Sequence, residues 1–300
     1  MRILLFVLLL PLSLQAQQNF DTVKIRPFPL TDNVYMLTGS GGNIGLLVGP
    51  EGNLIVDDQY APLSVKIRQA VYAINPGEVR YVINTHLHGD HTGGNENFRK
   101  LGATLVAHDN VRARMMKETV NREGKTVPPR NPESWPVVTF ERRLNVHLNG
   151  EDLELHYLDR GHTDGDVIVK FKKANVIHTG DAFVRERYPF IDLTSGGSFL
   201  GYIHTLQQIY DLADDQTKII PGHGALATRS DVKALHDKLA DIRDQVIAAL
   251  SKGTKPEELA SLPIATKYDP EFGKGFVKGK DFVLLVADEV KVMAPVRKKK

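Results

Sequence analysis

The 300-residue chain contains no cysteine. That absence removes disulfides, cysteine-ligated zinc, iron–sulfur clusters and thiol nucleophiles together, so any metal has to be held by histidine and carboxylate side chains. A strong charge of one sign is also missing. The 38 Lys and Arg against 36 Asp and Glu leave +2, too small an excess to mark a nucleic-acid partner. Beyond the first sixteen residues, no apolar run approaches the roughly 20 residues that a membrane-spanning helix needs. What remains is an ordinary composition, 42% hydrophobic and 25% charged, which excludes disorder, collagen-like repeats and coiled coil. A chain of this length can build one ample core without covalent staples.

The amino terminus reads as a targeting segment. Met1-Arg2 is a short positive region, Ile3 to Leu14 is almost unbroken apolar sequence, and Ala16 offers a small residue for cleavage. The expectation is a signal peptide over residues 1–16 and a mature protein that is periplasmic or secreted, with no stable membrane insertion. At the other end, Arg297-Lys298-Lys299-Lys300 reads as a solvated basic tail.

Between these ends, short apolar runs alternate with helical stretches and Gly-rich turns, the pattern of a layered α/β protein. The sequence predicts strands over 34–38, 45–48, 53–56, 80–84, 104–107, 153–157, 167–171, 176–178 and 218–220. It predicts helices over 63–74, 95–101, 111–118, 202–212 and 231–250. In the last helix Val232, Leu235, Leu239, Ile242, Val246 and Leu250 recur at three- and four-residue spacing and form one stripe for a sheet to cover. Val120 to Val137 carries Pro128-Pro129, Pro132 and Pro136, which suit neither a helix interior nor a central strand. It reads as a surface loop, either a lid or binding loop or a packed excursion.

The densest chemistry lies directly after the predicted strand 80–84, in Thr85-His86-Leu87-His88-Gly89-Asp90-His91-Thr92-Gly93-Gly94-Asn95. His86 and His88, two apart on chain leaving a strand, can point the same way and chelate one ion. Asp90 and His91 follow a glycine that lets the chain turn, so they can address a second ion. Three more candidates sit beside glycines at later strand ends: His162, Asp181 and His223. His108, His147, His156, His178, His204 and His236 carry no such pattern and read as ordinary surface or core residues.

The order H-x-H-x-D-H, then H, then D, then H resembles the metallo-β-lactamase superfamily, over about Val34 to Leu226. The resemblance implies a four-layered αββα sandwich, here a single domain over residues 17–300 that includes a C-terminal helical segment over 229–294. It implies two Zn2+ per chain, with His86, His88 and His162 on the first ion, Asp90, His91 and His223 on the second, and Asp181 bridging both. The implied reaction is attack on a carbonyl by a hydroxide made available at neutral pH by the metals, with Asp90 as a catalytic residue orienting the nucleophile. Asp57 or Asp58 resembles an acid that fixes a ligand from behind, or else caps its loop.

Departures narrow the reading. Cysteine-containing β-lactamases have Cys where this chain has Asp181 and a Lys where it has Val184, so Arg185 and Arg187 are the remaining cations for a substrate carboxylate. Acyl-homoserine lactonases carry Tyr at the position of Val184. The expected activity is an exported zinc hydrolase acting on a small molecule with a β-lactam- or lactone-like carbonyl. The alternatives are a glyoxalase II-like thioesterase, a persulfide dioxygenase-like enzyme with one iron, and a non-catalytic zinc-binding protein. The oligomeric state is left open.

Overall fold

In the computed structural model, which describes residues 19–120, 124–291 and 293, the short apolar runs assemble into two sheets. The signal segment over 1–16 and the basic tail over 297–300 lie outside the described residues. The first sheet has seven strands in chain order: β1 (Arg26–Pro29), β2 (Val34–Thr38), β3 (Ile44–Leu47), β4 (Asn53–Val56), β5 (Val79–Ile83), β6 (Thr104–His108) and β7 (Val138–Phe140). The first four pair antiparallel, and β4 to β7 run parallel. The second sheet has five: β8 (Arg143–Leu148), β9 (Glu151–Tyr157), β10 (Val167–Phe171), β11 (Val176–His178) and β12 (Lys218–Ile220). Its first four strands are antiparallel and its last pair is parallel.

Helices cover the outer faces. Crossovers α1 (Ser64–Ile74), α2 (Gly89–Thr92) with α3 (Asn95–Lys100), and α4 (Asp109–Met115) link the parallel strands of the first sheet. The second sheet is backed by α5 (Phe199–Leu212), α6 (Arg229–Ser251), α7 (Asp269–Phe272) and α8 (Gly279–Val290).

Side-chain alternation sorts the apolar residues into three layers of core. In β4, Leu54 and Val56 face the second sheet while Ile55 faces α1. In β10, Val167, Val169 and Phe171 join the inter-sheet core while Ile168 packs under α5 and α6. The stacking is therefore helix, sheet, sheet, helix, the expected αββα sandwich.

The predicted strands and helices are all present, several with ends shifted by one to three residues. Three strands and one helix, β1, β7, β8 and α2, were not predicted, and α7 and α8 fall inside the helical segment expected over 229–294 without having been placed individually. The segment 120–137 also differs from a plain loop. Thr119–Val120 and Thr126–Val127 pair as a small ribbon, Pro132–Ser134 forms a 3-10 turn, and Ser134 is buried.

The topology places one edge of the sandwich under heavy demand. The carboxyl ends of β4, β5, β9, β11 and β12 all emerge there, and each is followed by residues of the cluster read from the sequence.

Candidate metal centre

After β5 the chain passes His86 and His88 and turns into α2, which presents Asp90 and His91. The turn after β9 delivers His162, the turn after β11 Asp181, and the turn after β12 His223. All seven candidates converge. The ligand atoms of His86, His88 and His162 lie within 4.8 Å of one another, as do those of His86, His91 and Asp181, and those of Asp90, His91 and His223. Asp181 faces both sides: its Oδ2 is 3.6 Å from His162 Nε2, while its Oδ1 is 3.2 Å from His91 Nε2 and 3.4 Å from His223 Nε2.

The outward nitrogens explain the inward ones. His88 Nε2 donates to Asp192 Oδ2 at 2.9 Å, His162 Nδ1 to the Phe190 carbonyl at 2.6 Å, and His91 Nδ1 to Asp57 Oδ2 at 2.7 Å. An acceptor on the outside places the proton there and leaves a lone pair on the inside when the ring is neutral. His88 Nδ1 and His162 Nε2 then face each other at 2.8 Å, and the buried His86 Nε2 has no hydrogen-bond partner among the described residues. Converging lone pairs repel unless a cation sits among them. The donor set of five imidazoles and two carboxylates, without thiolate, suits zinc.

Electrostatics separates the two halves. Burial pushes His162 down to about 4 and holds His86 well below the ordinary histidine range, so both are neutral donors. Burial also works against a charge on His223, yet Asp181 and Asp90 raise it to about 9. His91 is raised in the same way, with Asp181, Asp57 and Asp90 overcoming burial. Asp90 lies at about 2, with His91 and His223 overcoming its burial. Without a cation, the second half is a network of ion pairs.

Asp57 acts behind the ligands. It occupies a left-handed backbone conformation (φ 66°) just past β4, an uncommon one for a residue other than glycine. There Oδ1 accepts from the Thr85 amide and Oδ2 from the Thr85 hydroxyl as well as from His91. Asp58 instead accepts the Gly94 amide and supports the loop. Two glycines allow the close approach. A Cβ on Gly42 would lie 2.2 Å from the His91 ring, and one on Gly222 would lie 2.0 Å from Asp181 Oδ1.

A cavity of about 540 Å³ opens over the cluster, with Tyr60, Val184, Arg187, Tyr188, Phe190 and Phe276 among its walls. Phe190 and Phe276 rings are 5.5 Å apart. Arg187 has no hydrogen-bond or ion-pair partner among the described residues. Arg185, the other cation considered from the sequence, is turned away: it donates to the Leu226 carbonyl and pairs with Asp231 at 3.3 Å. Sequence reading missed the bond of Asp192 to His88. Tyr60 and Arg130 were missed altogether, since neither stands in a motif.

A family model described as the metallo-beta-lactamase superfamily matches residues 37–223. The chain belongs to the metallo-beta-lactamase superfamily. Among its relatives, a metallo-beta-lactamase type 2 from Bacteroides fragilis is 24% identical over 234 residues, 74% of this chain and 88% of that protein. A hydroxyacylglutathione hydrolase from Anaeromyxobacter dehalogenans is 26% identical over 239 residues, 75% of this chain and 76% of that protein. The solved structure of a metallo-beta-lactamase from Pontibacter korlensis superposes with a TM-score of 0.61 at 15% identity, covering 73% of this chain and 100% of that one. That likeness is one of fold. Within the superfamily this member has Asp at 181 and Val at 184, so its site differs from the cysteine-and-lysine arrangement at two positions.

Proposed function

We propose that this superfamily member is an exported dinuclear zinc hydrolase that cleaves an amide- or ester-type carbonyl bond in a small, anionic, partly apolar substrate. The observation that carries the reading is the inward convergence of His86, His88 and His162, with outer partners fixing the proton positions of His88 and His162. His86, His88 and His162 would hold one ion, and Asp90, His91 and His223 the other, with Asp181 between them. Two divalent ions there supply an activated water and a Lewis acid for the carbonyl.

The chain's own groups do the rest. Asp90 Oδ2, beside His223 Nε2 at 3.3 Å, can accept a hydrogen bond from the attacking water and hold its direction. The free guanidinium of Arg187 supplies a fork for a substrate carboxylate. Phe190 and Phe276 offer aromatic surface to an apolar substituent. Export is supported by the sequence of the first sixteen residues.

A thioester substrate is the second reading, favoured by the hydroxyacylglutathione hydrolase relative and by an aspartate at 181. One set of kinetic measurements separates the two. The protein is expressed with residues 1–16 and recovered outside the cytoplasm with its amino terminus near Gln17. It is then assayed with a chromogenic cephalosporin, a neutral lactone and a glutathione thioester. The expected result is chelator-sensitive turnover of the cyclic substrates. Arg187→Ala should raise KM for the anionic cephalosporin roughly tenfold or more, the loss expected for one charged hydrogen bond, while leaving the lactone nearly unchanged. A thioester preferred a hundredfold, about 2.7 kcal/mol in transition-state binding, would install the second reading, and retention of the protein in the cytoplasm would remove export.

A further inference from the structure

Residues 130–136, at the end of the proline-bearing segment that leads into β7, are tied down from several directions. Asn95 Nδ2 donates to the Ser134 carbonyl at 3.0 Å, Arg99 Nη1 to the Trp135 carbonyl at 3.0 Å, and Arg112 Nη1 to the Pro136 carbonyl at 2.5 Å. Inside the segment, Trp135 Nε1 donates to the Arg130 carbonyl, and the Arg130 amide donates to the Met115 carbonyl. These bonds fix the position of one mostly buried arginine. A strap so anchored does not have the freedom of a lid.

Arg130 points at the loop that carries four of the seven candidate ligands. Its Nη2 donates to the Leu87 carbonyl at 2.6 Å and its Nη1 to the Thr92 hydroxyl at 2.5 Å. Leu87 stands between His86 and His88, so its peptide orientation sets the angle between those two rings. The Thr92 hydroxyl in turn donates back to the His88 carbonyl at 2.9 Å. Behind them, the fully buried Asp58 has Oδ1 on the Gly94 amide, and Oδ2 has no hydrogen-bond partner among the described residues. Burial pushes the Asp58 carboxyl well above the ordinary carboxylate range, and the positive charge of Arg130 works against that shift without reversing it. A guanidinium can serve two diverging acceptors and still act as a counter-charge, whereas an ammonium on a flexible stem does not reproduce the fork.

We infer that Arg130 is a positioning residue for the first metal site, locking the Leu87 peptide so that His86 and His88 converge with His162. The inference rests on the dinuclear reading above. It gives the proline-rich segment a role that its composition did not suggest, since it braces the metal loop through residues that do not line the cavity.

The test uses the full mature chain and reads metal affinity rather than turnover. Zinc dissociation constants are measured by chelator competition for wild type, Arg130→Lys, Thr92→Val and Arg112→Gln, together with the visible spectrum of the Co(II)-loaded forms and thermal unfolding of the metal-free forms. Thr92→Val removes one acceptor of the fork without altering the strap. Arg112→Gln loosens the same strap at Pro136 and controls for general destabilisation. The expected result is that Arg130→Lys weakens the first ion about tenfold or more, the scale seen when an outer partner of a ligand is lost, and alters the cobalt spectrum. Thr92→Val should move both in the same direction by a smaller amount, and Arg112→Gln should leave affinity within about threefold. The inference is overturned if wild type binds two ions and Arg130→Lys binds the first within threefold of wild type. Equal weakening by Arg112→Gln at a similar loss of thermal stability overturns it as well. A wild-type chain that takes up no divalent ion would remove the proposed function and this inference together.

Discussion

Asp57 shows how much one buried carboxylate can organise. It is fully buried, sits in a left-handed backbone conformation, and uses both oxygens on the Thr85 peptide, the Thr85 hydroxyl and His91. Asp57→Asn keeps the shape but replaces one acceptor oxygen by a donor, so His91 Nδ1 and the Thr85 groups can no longer all be satisfied. The expected outcome is a roughly 10- to 100-fold weaker second ion with the first ion little changed, measured by zinc titration against a chromogenic chelator. The seven converging residues were legible in the sequence because four histidines and aspartates crowd into residues 86–91 and the other three stand beside glycines at strand ends. Apart from the Asp57 and Asp58 pair, their outer partners were not: Asp192 lies 104 residues from His88, and no local pattern marks the Phe190 carbonyl or Arg130. The sequence reading left Asp57 and Asp58 undivided, and only the turn after β4 shows that one orients a histidine while the other receives the Gly94 amide.

Among the elements, α6 was the plainest in the sequence. Its stripe of Val232, Leu235, Leu239, Ile242 and Val246 is buried, and Leu250 packs at its partly buried end. Its start is fixed by Thr228 and Asp231, whose carboxylate accepts the Thr228 amide at 2.8 Å. Ile242→Ala is expected to cost about 2–5 kcal/mol of stability, seen as a lower denaturant midpoint with an unchanged slope, while metal content per folded chain stays constant. The missed elements have physical reasons. β1 carries Pro27 and Pro29, which fit only an edge strand, and β7 is three residues long. β8 was readable, for Leu144, Val146 and Leu148 alternate with the exposed Arg143, Asn145 and His147. α8 likewise shows helical spacing in Phe282, Val283, Val286 and Val290. Short helix α2 could not be seen at all, because it is one turn of four residues, Gly89 to Thr92, none of them a strong helix former.

At the scale of the molecule, the two sheets divide the work. The first brings His86, His88, Asp90 and His91 together with Asp57 behind them, the second brings His162, Asp181 and His223, and the centre exists only where their edges meet. The inter-sheet core of Leu54, Val56, Ile83, Leu155, Val167, Val169 and Ile220 holds those edges at a fixed distance, so the candidate ligands from the two halves converge without a covalent link. Among the described residues no helix is long and apolar enough to cross a membrane. The most direct test is the number and kind of metal ions bound per chain, determined by elemental analysis of the mature protein after loading and removal of excess metal, for wild type and Asp181→Ala. The expected result is two zinc ions in wild type and weaker retention of both in Asp181→Ala, because a shared carboxylate offsets the repulsion between cations about 3.5–4 Å apart. A single tightly held iron, no bound metal, or two fully retained zinc ions in Asp181→Ala would contradict it.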